Sequence, residues 1–304
     1  MRYRELGNTG LKTSIIGYGA SPLGGVFGEV QQDQATRAVH TALELGINYF
    51  DVAPYYGATK AETVLGTALK GIQRDSYILA TKVGRYGSGN FDYSAARVKS
   101  SVDESLSRLQ VDYLDIIQCH DIEFSSPDQI VDETLPALRE IQKQGKVRFV
   151  GITGLLLTNF PVILDRTAVD LILSFCHYCL NDTSLERIIP YLQSKQVGIV
   201  NASPFSMGLL TMQGPPSWHP ASDAIKQAAA AARAFCEHKG VDLAQVAFQF
   251  SLANPDVATT VVGLADAEIV AKNVRWLDTP LDEQLLTEAL AILAPVHNET
   301  WSNT

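Results

Sequence analysis

Eight short apolar segments alternate with amphipathic stretches along the chain, and this alternation constrains the fold more than any other sequence feature. Such runs are typical of parallel strands that helices cover on the outside. The predicted strands are residues 15–18, 49–52, 77–81, 113–119, 148–153, 171–175, 198–202 and 259–262. Eight consecutive βα units predict an α/β fold, a closed (β/α)8 TIM barrel.

Two features refine this prediction. Residues 3–13 form two short alternating segments around a turn that contains Asn8 and Gly10, which predicts an N-terminal β-hairpin. A doubly wound open sheet is the rival fold, but its G-x-G-x-x-G turn is reduced here to Gly17-Tyr18-Gly19. We therefore expect residues 1–304 to form a single barrel domain, although a chain of this length could also hold two average domains.

The composition excludes several classes of protein. A net charge of −9 and a pI near 5.1 disfavour a nucleic-acid partner. The sequence predicts no membrane partner, because no apolar run approaches the roughly 18 residues of a membrane span. The N-terminus does not resemble a signal peptide. We expect a cytoplasmic protein with reduced thiols.

The pair Cys176 and Cys179 has the C-x-x-C spacing of some zinc and redox sites. No second pair of ligands completes a tetrahedral set in the sequence. We therefore predict no metal ion.

Residues 211–222 form the longest stretch without strand or helix character, and they contain Gly214-Pro215-Pro216 and Trp218-His219-Pro220. Long loops of barrels tend to carry functional residues. This segment is a candidate substrate loop.

Four polar residues stand at or just after the carboxyl ends of three predicted strands: Asp51, Tyr56, Lys82 and His120. Each has a structural interpretation on its own, as a helix cap, a core aromatic, a solvated cation or a buried histidine with satisfied bonds. Active sites of barrels form at this end of the strands. Because the four converge there, we predict a catalytic group.

Their chemistry is that of proton exchange at a substrate oxygen. Lys82 is expected to lower the pKa of Tyr56, and Asp51 to form an ion pair with Lys82. His120 is expected to orient the substrate oxygen. Tyr56 then exchanges a proton with that oxygen while a hydride passes between carbon and a nicotinamide.

Residues 46–66, which contain Asp51 and Tyr56, resemble the signature of the aldo-keto reductase family, and Ala80-Thr81-Lys82 and His120 match the rest of its catalytic tetrad. Further segments resemble a plant group of that family that oxidises the anomeric carbon of free L-galactose with NAD to a lactone. They are residues 19–24, 119–124, 151–154, 176–178 and 214–222. The resemblance implies a small-molecule sugar as partner and a monomer or weak homo-oligomer.

The same family leaves alternatives open. Its members include L-fucose and D-arabinose dehydrogenases, pyridoxal 4-dehydrogenases and general carbonyl reductases. It also includes β subunits of potassium channels, whose main role is regulation of a partner.

The resemblance implies a set of cofactor-binding residues: Gly19, Ala20, Ser174, Ser203, Pro204, Phe205, Met207, Gly208, Leu209, Gly263, Ala265, Asp266 and Asn273. Ala202 and Ser174 depart from the aromatic residue and the glutamine that many members place beside the nicotinamide. Members that use NADP commonly carry an arginine where Ala265 stands, and Asp266 follows it. Loss of a cation and gain of a carboxylate disfavour a 2′-phosphate, so NAD is the expected cofactor.

For the substrate, the expected contacts beyond the catalytic group are Asp121, Glu123, His177 and Trp218. Polar groups would bind hydroxyls, and an aromatic ring would cover the apolar face of a sugar. Asp121 and Glu123 could instead lie in a solvated loop, His177 could make a structural hydrogen bond, and Trp218 could only anchor its own loop.

Overall fold

The computed structural model describes residues 1–26 and 28–301. Eight parallel strands close into a barrel in which every strand pairs with two neighbours. The barrel strands are β3 (Ile16–Gly19), β4 (Tyr49–Asp51), β5 (Ile78–Val83), β8 (Leu114–Cys119), β9 (Val147–Gly154), β10 (Leu171–Phe175), β11 (Gly198–Ala202) and β12 (Thr259–Gly263). The predicted α/β barrel is confirmed, with strand bounds displaced by two residues at most.

Helices surround the barrel: α1 (Gln32–Glu44), α2 (Lys60–Leu69), α3 (Ala95–Leu109), α4 (Pro127–Gln129), α5 (Leu135–Lys143), α6 (Asn159–Leu164), α7 (Ile189–Ser194), α8 (Asp223–His238), α9 (Leu243–Ala253), α10 (Ala267–Arg275) and α11 (Glu283–Leu293). The apolar faces of most of these helices and the outer faces of the strands form the main hydrophobic cluster. The apolar faces of α8 and α11 belong to a second cluster. No helix of residues 1–26 and 28–301 is long and apolar enough to cross a membrane.

The predicted N-terminal hairpin is present as β1 (Tyr3–Glu5) and β2 (Lys12–Ser14), paired antiparallel. Leu6 and Leu11 from its turn are buried in the cluster that fills the barrel interior. Arg4 donates to the carbonyl oxygens of Leu252, Asn254 and Val257 at 2.9, 2.5 and 2.7 Å. The hairpin therefore covers the amino-terminal end of the barrel and joins the start of the chain to residues near its end.

Strand register determines which side chains point into the barrel. Asp51 pairs with Ala80, and Lys82 pairs with Gln118 on the neighbouring strand. Ala80 belongs to the interior cluster, and side chains two residues apart share a face. Asp51, Lys82 and Gln118 therefore share the inner face, near the carboxyl ends of their strands.

A second hairpin and a long loop lie beyond the carboxyl ends of the strands. The hairpin consists of β6 (Arg85–Gly87) and β7 (Asn90–Phe91), which pair antiparallel directly after β5. The loop spans residues 211–222 and contains no helix or strand, as the sequence predicts. His219 joins this loop to the residues after β11, because its Nε2 lies 2.8 Å from the Ser206 carbonyl oxygen.

Candidate active site

Lys82 is the centre of the polar group in the barrel. Its ammonium donates to Asp51 Oδ1, to the Val52 carbonyl oxygen at 3.0 Å and to the Tyr56 hydroxyl at 3.2 Å. These three acceptors match the three protons of an ammonium. Lys82 and Asp51 are 1% and 3% exposed, so the cation is buried with its counter-ion.

Asp51 has a second partner that the sequence reasoning missed. Gln118 Nε2 donates to Asp51 Oδ2 at 3.0 Å, while Oδ1 accepts from Lys82. The period-two alternation of β8 could have revealed it, because Gln118 is two residues before His120 on the same face. Both carboxylate oxygens are thus bonded, which limits rotation of the Asp51 side chain.

The loop after β4 places Tyr56 against Lys82. Gly57 has φ +62°, and a Cβ atom built there would lie 2.2 Å from the Gly24 carbonyl oxygen. A Cβ atom on Gly24 would lie 2.7 Å from the Tyr56 carbonyl carbon. Two glycines therefore allow the turn after β3 and the Tyr56 loop to pack backbone against backbone.

Burial and neighbouring charges act on the pKa of the Tyr56 hydroxyl. Burial raises the pKa of the Tyr56 hydroxyl, Lys82 lowers it and Asp51 raises it, so the net pKa lies above the ordinary value. Lys82 lowers the pKa, as expected from the sequence, but burial outweighs its effect. Burial lowers the pKa of Lys82, but Asp51 and Tyr56 raise it above its usual value, so Lys82 is a cation.

His120 lies beside Tyr56, with ring centroids 5.8 Å apart and planes at 86°. Its side chain is buried, and Nδ1 has no hydrogen-bond partner among the described residues. Burial lowers the pKa of His120 to about 3, Asp121 opposes this change, and Lys82 and Arg85 add to it. The imidazole is therefore neutral near pH 7. The structure brings together all four predicted residues.

Asp121 is buried next to His120, where its Oδ2 lies 3.6 Å from His120 Nε2. Arg85 donates to the same oxygen at 2.5 Å. The alternative of a solvated loop residue is wrong for Asp121. Sequence reasoning missed Arg85, because it lies in the short hairpin β6–β7 rather than on a barrel strand.

The other three predicted substrate residues differ in placement. Both ring nitrogens of His177 have partners, since Nδ1 is 3.1 Å from Asp182 Oδ2 and Nε2 is 2.6 Å from the Leu155 carbonyl oxygen. These contacts favour the structural alternative for His177 over a role in substrate binding. Glu123 accepts from the Leu155 amide at 3.0 Å. Trp218 is 52% exposed on the long loop.

Predicted cofactor residues form the rim of the barrel between β3 and β10. Gly19 ends β3, and the Ala20 amide donates to the Asp51 carbonyl oxygen at 2.8 Å. Ser174 is buried in β10, and its hydroxyl has no partner among the described residues. Phe205 packs on Phe248, and Pro204 precedes it. Leu209 is fully buried in the cluster against α8.

The segment after β11 has an unusual backbone. Ser203, Met207 and Gly208 have φ values of 59°, 51° and 98°. Left-handed turns can create concave surfaces that suit an anion such as a pyrophosphate. In this segment the amides of Ser203, Ser206 and Gly208 already donate to the carbonyl oxygens of Val261, Ser203 and Phe205. Gly208 is adjacent to the long loop, because a Cβ there would lie 3.3 Å from Pro216 Cδ.

The remaining cofactor candidates surround the start of α10. Gly263 ends β12, and Ala265 follows on the connection to the helix. The Asp266 carboxylate caps α10 by accepting from the amides of Glu268 and Ile269 at 2.9 and 3.1 Å. Asn273 is 2% exposed, and its Nδ2 has no partner among the described residues. Buried unpaired donors of this kind are what a bound group would satisfy.

Cys176 and Cys179 are buried free thiols. Burial raises the pKa of Cys176 to about 12 and that of Cys179 well above its ordinary value. Within residues 1–26 and 28–301, no group of three or more histidine, cysteine, aspartate or glutamate side chains could hold a metal ion.

Comparison with known proteins identifies one family. The model of the Aldo/keto reductase family matches residues 15–293. The chain is 53% identical over 307 residues to L-galactose dehydrogenase of Arabidopsis thaliana, with 98% of this chain and 96% of that protein covered. It is 31% identical to D-arabinose 1-dehydrogenase of Saccharomyces cerevisiae, with 86% and 85% covered.

A solved structure agrees with these matches. An aldo-keto reductase from Bacillus halodurans, in its holo form, superposes with a TM-score of 0.82 at 30% identity. The match covers 100% of this chain and 99% of that one.

Proposed function

Because this chain belongs to the aldo/keto reductase family, we propose that it oxidises the anomeric carbon of a free aldose, L-galactose to L-galactono-1,4-lactone, with NAD. The observation that carries the proposal is the contact between Lys82 Nζ and the Tyr56 hydroxyl at 3.2 Å, with His120 beside it. The 53% identity to a plant L-galactose dehydrogenase supports the choice of sugar.

In this mechanism the phenolate of Tyr56 removes the proton of the anomeric hydroxyl, and this phenolate is the minor form at neutral pH because the pKa of the hydroxyl is raised. Lys82 stabilises the phenolate, and Asp51 fixes Lys82 in place. Neutral His120 forms a hydrogen bond with the same substrate oxygen. Tyr56 and His120 both contact the anomeric oxygen. The oxygen therefore loses its proton where its double bond to the anomeric carbon forms.

The residues present fit a nicotinamide dinucleotide. The unpaired, buried hydroxyl of Ser174 and amide of Asn273 are donors at two separate parts of the rim. Residues 203–208, with their left-handed turns, would hold the pyrophosphate. When bound, the oxidised nicotinamide supplies a hydride acceptor and a positive charge.

The preference for NAD rests on the start of α10. The Asp266 carboxylate occupies the amides of that helix end, and Ala265 offers no charge. Lys272 in the same helix forms an ion pair with Asp242 at 2.8 Å. A 2′-phosphate near Asp266 would therefore meet a carboxylate without a free cation from these residues.

Ala265→Arg combined with Asp266→Ser is expected to raise the affinity for NADP relative to NAD by about 10-fold or more, since one charge-assisted bond is gained and one repulsion is lost. Serine can still cap the helix. Dissociation constants from quenching of tryptophan fluorescence measure this without turnover. Ala265→Gln with Asp266→Ser is the uncharged control. A wild type that already binds NADP more tightly would contradict the proposal.

The charges at the site favour a neutral substrate. Lys82 is paired with Asp51, and Arg85 with Asp121, so neither cation is free for a phosphate group. L-Fucose, D-arabinose, pyridoxal or a general carbonyl compound would meet the same four residues and remain alternatives. The functionally named relatives described above are dehydrogenases and a reductase, which gives no support to a channel-regulating role.

The experiment is a rate comparison in the oxidative direction with L-galactose, L-fucose, D-arabinose and pyridoxal, each with NAD and with NADP. We expect the highest kcat/KM for L-galactose with NAD. A preference for pyridoxal would show that the substrate is not a sugar. It would not contradict the family or the roles of Tyr56, Lys82, Asp51 and His120. Reduction of carbonyl compounds without any oxidation of sugars would favour the reductase alternative.

Beyond the chemistry, we propose that the protein is cytoplasmic and a monomer or weak homo-oligomer, and that residues 1–304 form one domain. The burial of Leu6 and Leu11 inside the barrel supports a single folding unit. Sedimentation at several concentrations tests the oligomeric state, and a single urea transition tests the domain.

A further inference from the structure

A second ion pair lies at the carboxyl-terminal mouth of the barrel, separate from Asp51 and Lys82. The side chains of Arg85 and Asp121 are 19% and 4% exposed, and Arg85 Nη1 donates to Asp121 Oδ2 at 2.5 Å. The mechanism above does not use this pair. Its carboxylate is nevertheless 3.6 Å from His120 Nε2, so it lies within range of a catalytic group.

Aromatic rings fix the position of Arg85. Its guanidinium carbon is 3.9 Å from the centroid of the Tyr55 ring, 5.1 Å from that of Phe124 and 5.7 Å from that of Phe91. Phe91 and Phe124 stack on each other at 4.3 Å. An arginine held between aromatic faces and a carboxylate has little freedom to leave.

Asp121 is equally constrained. Its φ of 51° is left-handed, and its amide donates to the Thr153 hydroxyl oxygen at 2.9 Å. The Thr153 hydroxyl lies 3.2 Å from Oδ1 and donates to it, so Thr153 and Arg85 bind different oxygens of the carboxylate. The strained turn therefore places a fixed negative charge next to His120.

We propose that Arg85 is a positioning residue for His120: by binding the Asp121 carboxylate, it keeps His120 uncharged and free to bond the substrate oxygen. This inference rests on the proposed function for its catalytic meaning. The effect of Arg85 on the charge of His120 does not depend on which substrate the protein binds.

Asp121 and Arg85 act on the charge of His120 in opposite directions. A carboxylate 3.6 Å from an imidazole nitrogen favours the imidazolium, and a guanidinium bound to that carboxylate cancels much of its field. Burial and the cation of Lys82 also favour the neutral ring. The titratable or charged side chains around His120 are Asp51, Tyr55, Tyr56, Lys82, Arg85, Tyr93 and Asp121.

Neutrality of His120 matters for the oxidation. A neutral ring shares a hydrogen bond with the anomeric oxygen without opposing its conversion to a carbonyl. An imidazolium would pair with Asp121 and would stabilise negative charge on the oxygen, which opposes loss of the hydride. Loss of Arg85 is therefore expected to reduce the rate, most strongly at acidic pH.

The test is Arg85→Gln, with Arg97→Gln as matched control. Arg97 also stacks on the hairpin β6–β7, 4.0 Å from the Tyr86 centroid, and pairs with Glu104 at 2.8 Å, but it has no contact with His120 among those described here. Nitrogen-15 NMR of the imidazoles, assigned with His120→Asn, reports the charge of His120 directly. The pH profile of kcat/KM is the second measurement.

In Arg85→Gln, the proton affinity of His120 is expected to rise about 10- to 1,000-fold. Its kcat/KM relative to wild type should fall further between about pH 8 and about pH 5, by about tenfold if the proton affinity rises by the full 1,000-fold. Arg97→Gln should match the wild type in both measurements. An unchanged His120 titration in folded Arg85→Gln would overturn the proposal whether or not any sugar is oxidised.

A double-mutant cycle covers the case in which Arg85→Gln does not fold. Asp121→Asn removes the charge that Arg85 neutralises, so adding Arg85→Gln to it should raise the proton affinity of His120 only through loss of the direct field of the guanidinium, by less than about threefold. If loss of Arg85 raises that affinity tenfold or more in the Asp121→Asn background, Arg85 does not act through Asp121 and the proposal is wrong. A wild type that oxidises no sugar would instead remove only the proposed function.

Discussion

Replacement of Tyr56 by phenylalanine is expected to reduce kcat by about 10³-fold or more, because the group that exchanges a proton with the substrate is lost. The fold should be unaffected, since the Tyr56 hydroxyl has a single described partner, Lys82. Steady-state oxidation of L-galactose measures the rate, and binding of NAD should change by less than about threefold.

Tyr191→Phe is the control for this prediction. Tyr191 lies in α7 on the outside of the barrel and bonds Asp165 through its hydroxyl at 2.7 Å. Its loss should leave the rate unchanged. If Tyr56→Phe retains more than about a tenth of wild-type kcat, Tyr56 is not the group that exchanges the proton.

Lys82→Met is the second change with a large expected effect, and it should lower both stability and activity. It removes one partner of a buried ion pair and leaves the Asp51 carboxylate to Gln118 alone, which is expected to cost about 3–5 kcal/mol of the free energy of unfolding. It also removes the cation that lowers the pKa of Tyr56, so the remaining activity should shift to higher pH. Urea unfolding and a pH profile measure the two effects.

The double variant Lys82→Met with Asp51→Leu separates these effects. Because both charges are absent, most of the lost stability should return, while the activity should not. If the free energy of unfolding of the single Lys82→Met variant lies within about 1 kcal/mol of that of the wild type, the ion pair of Lys82 and Asp51 contributes as little as a surface salt bridge.

The sequence was sufficient for the barrel and for the four convergent residues because both depend on periodic patterns. Apolar runs mark strands that are buried on both faces, and Asp51, Lys82 and His120 interrupt or end those runs. Gln118 follows the same two-residue period and could have been predicted from it.

What the sequence could not supply depends on contacts between separate loops. Arg85 is significant only through Tyr55, Asp121 and two phenylalanines from other segments. His177 resembles a ligand in sequence, yet Asp182 and Leu155 occupy both its nitrogens. The net pKa of Tyr56 also depends on the extent of burial, which outweighs Lys82 and cannot be read from spacing.

The three bonds of Arg4 to residues 252–257 have a consequence for biosynthesis. A ribosome that adds about 5–20 residues per second needs about 10–50 s to make the partners of the N-terminal hairpin. During that time Leu6 and Leu11 have no completed barrel to enter, and they remain available to chaperones or to other nascent chains. The hairpin at the start of the message is therefore one of the last elements to reach its final place.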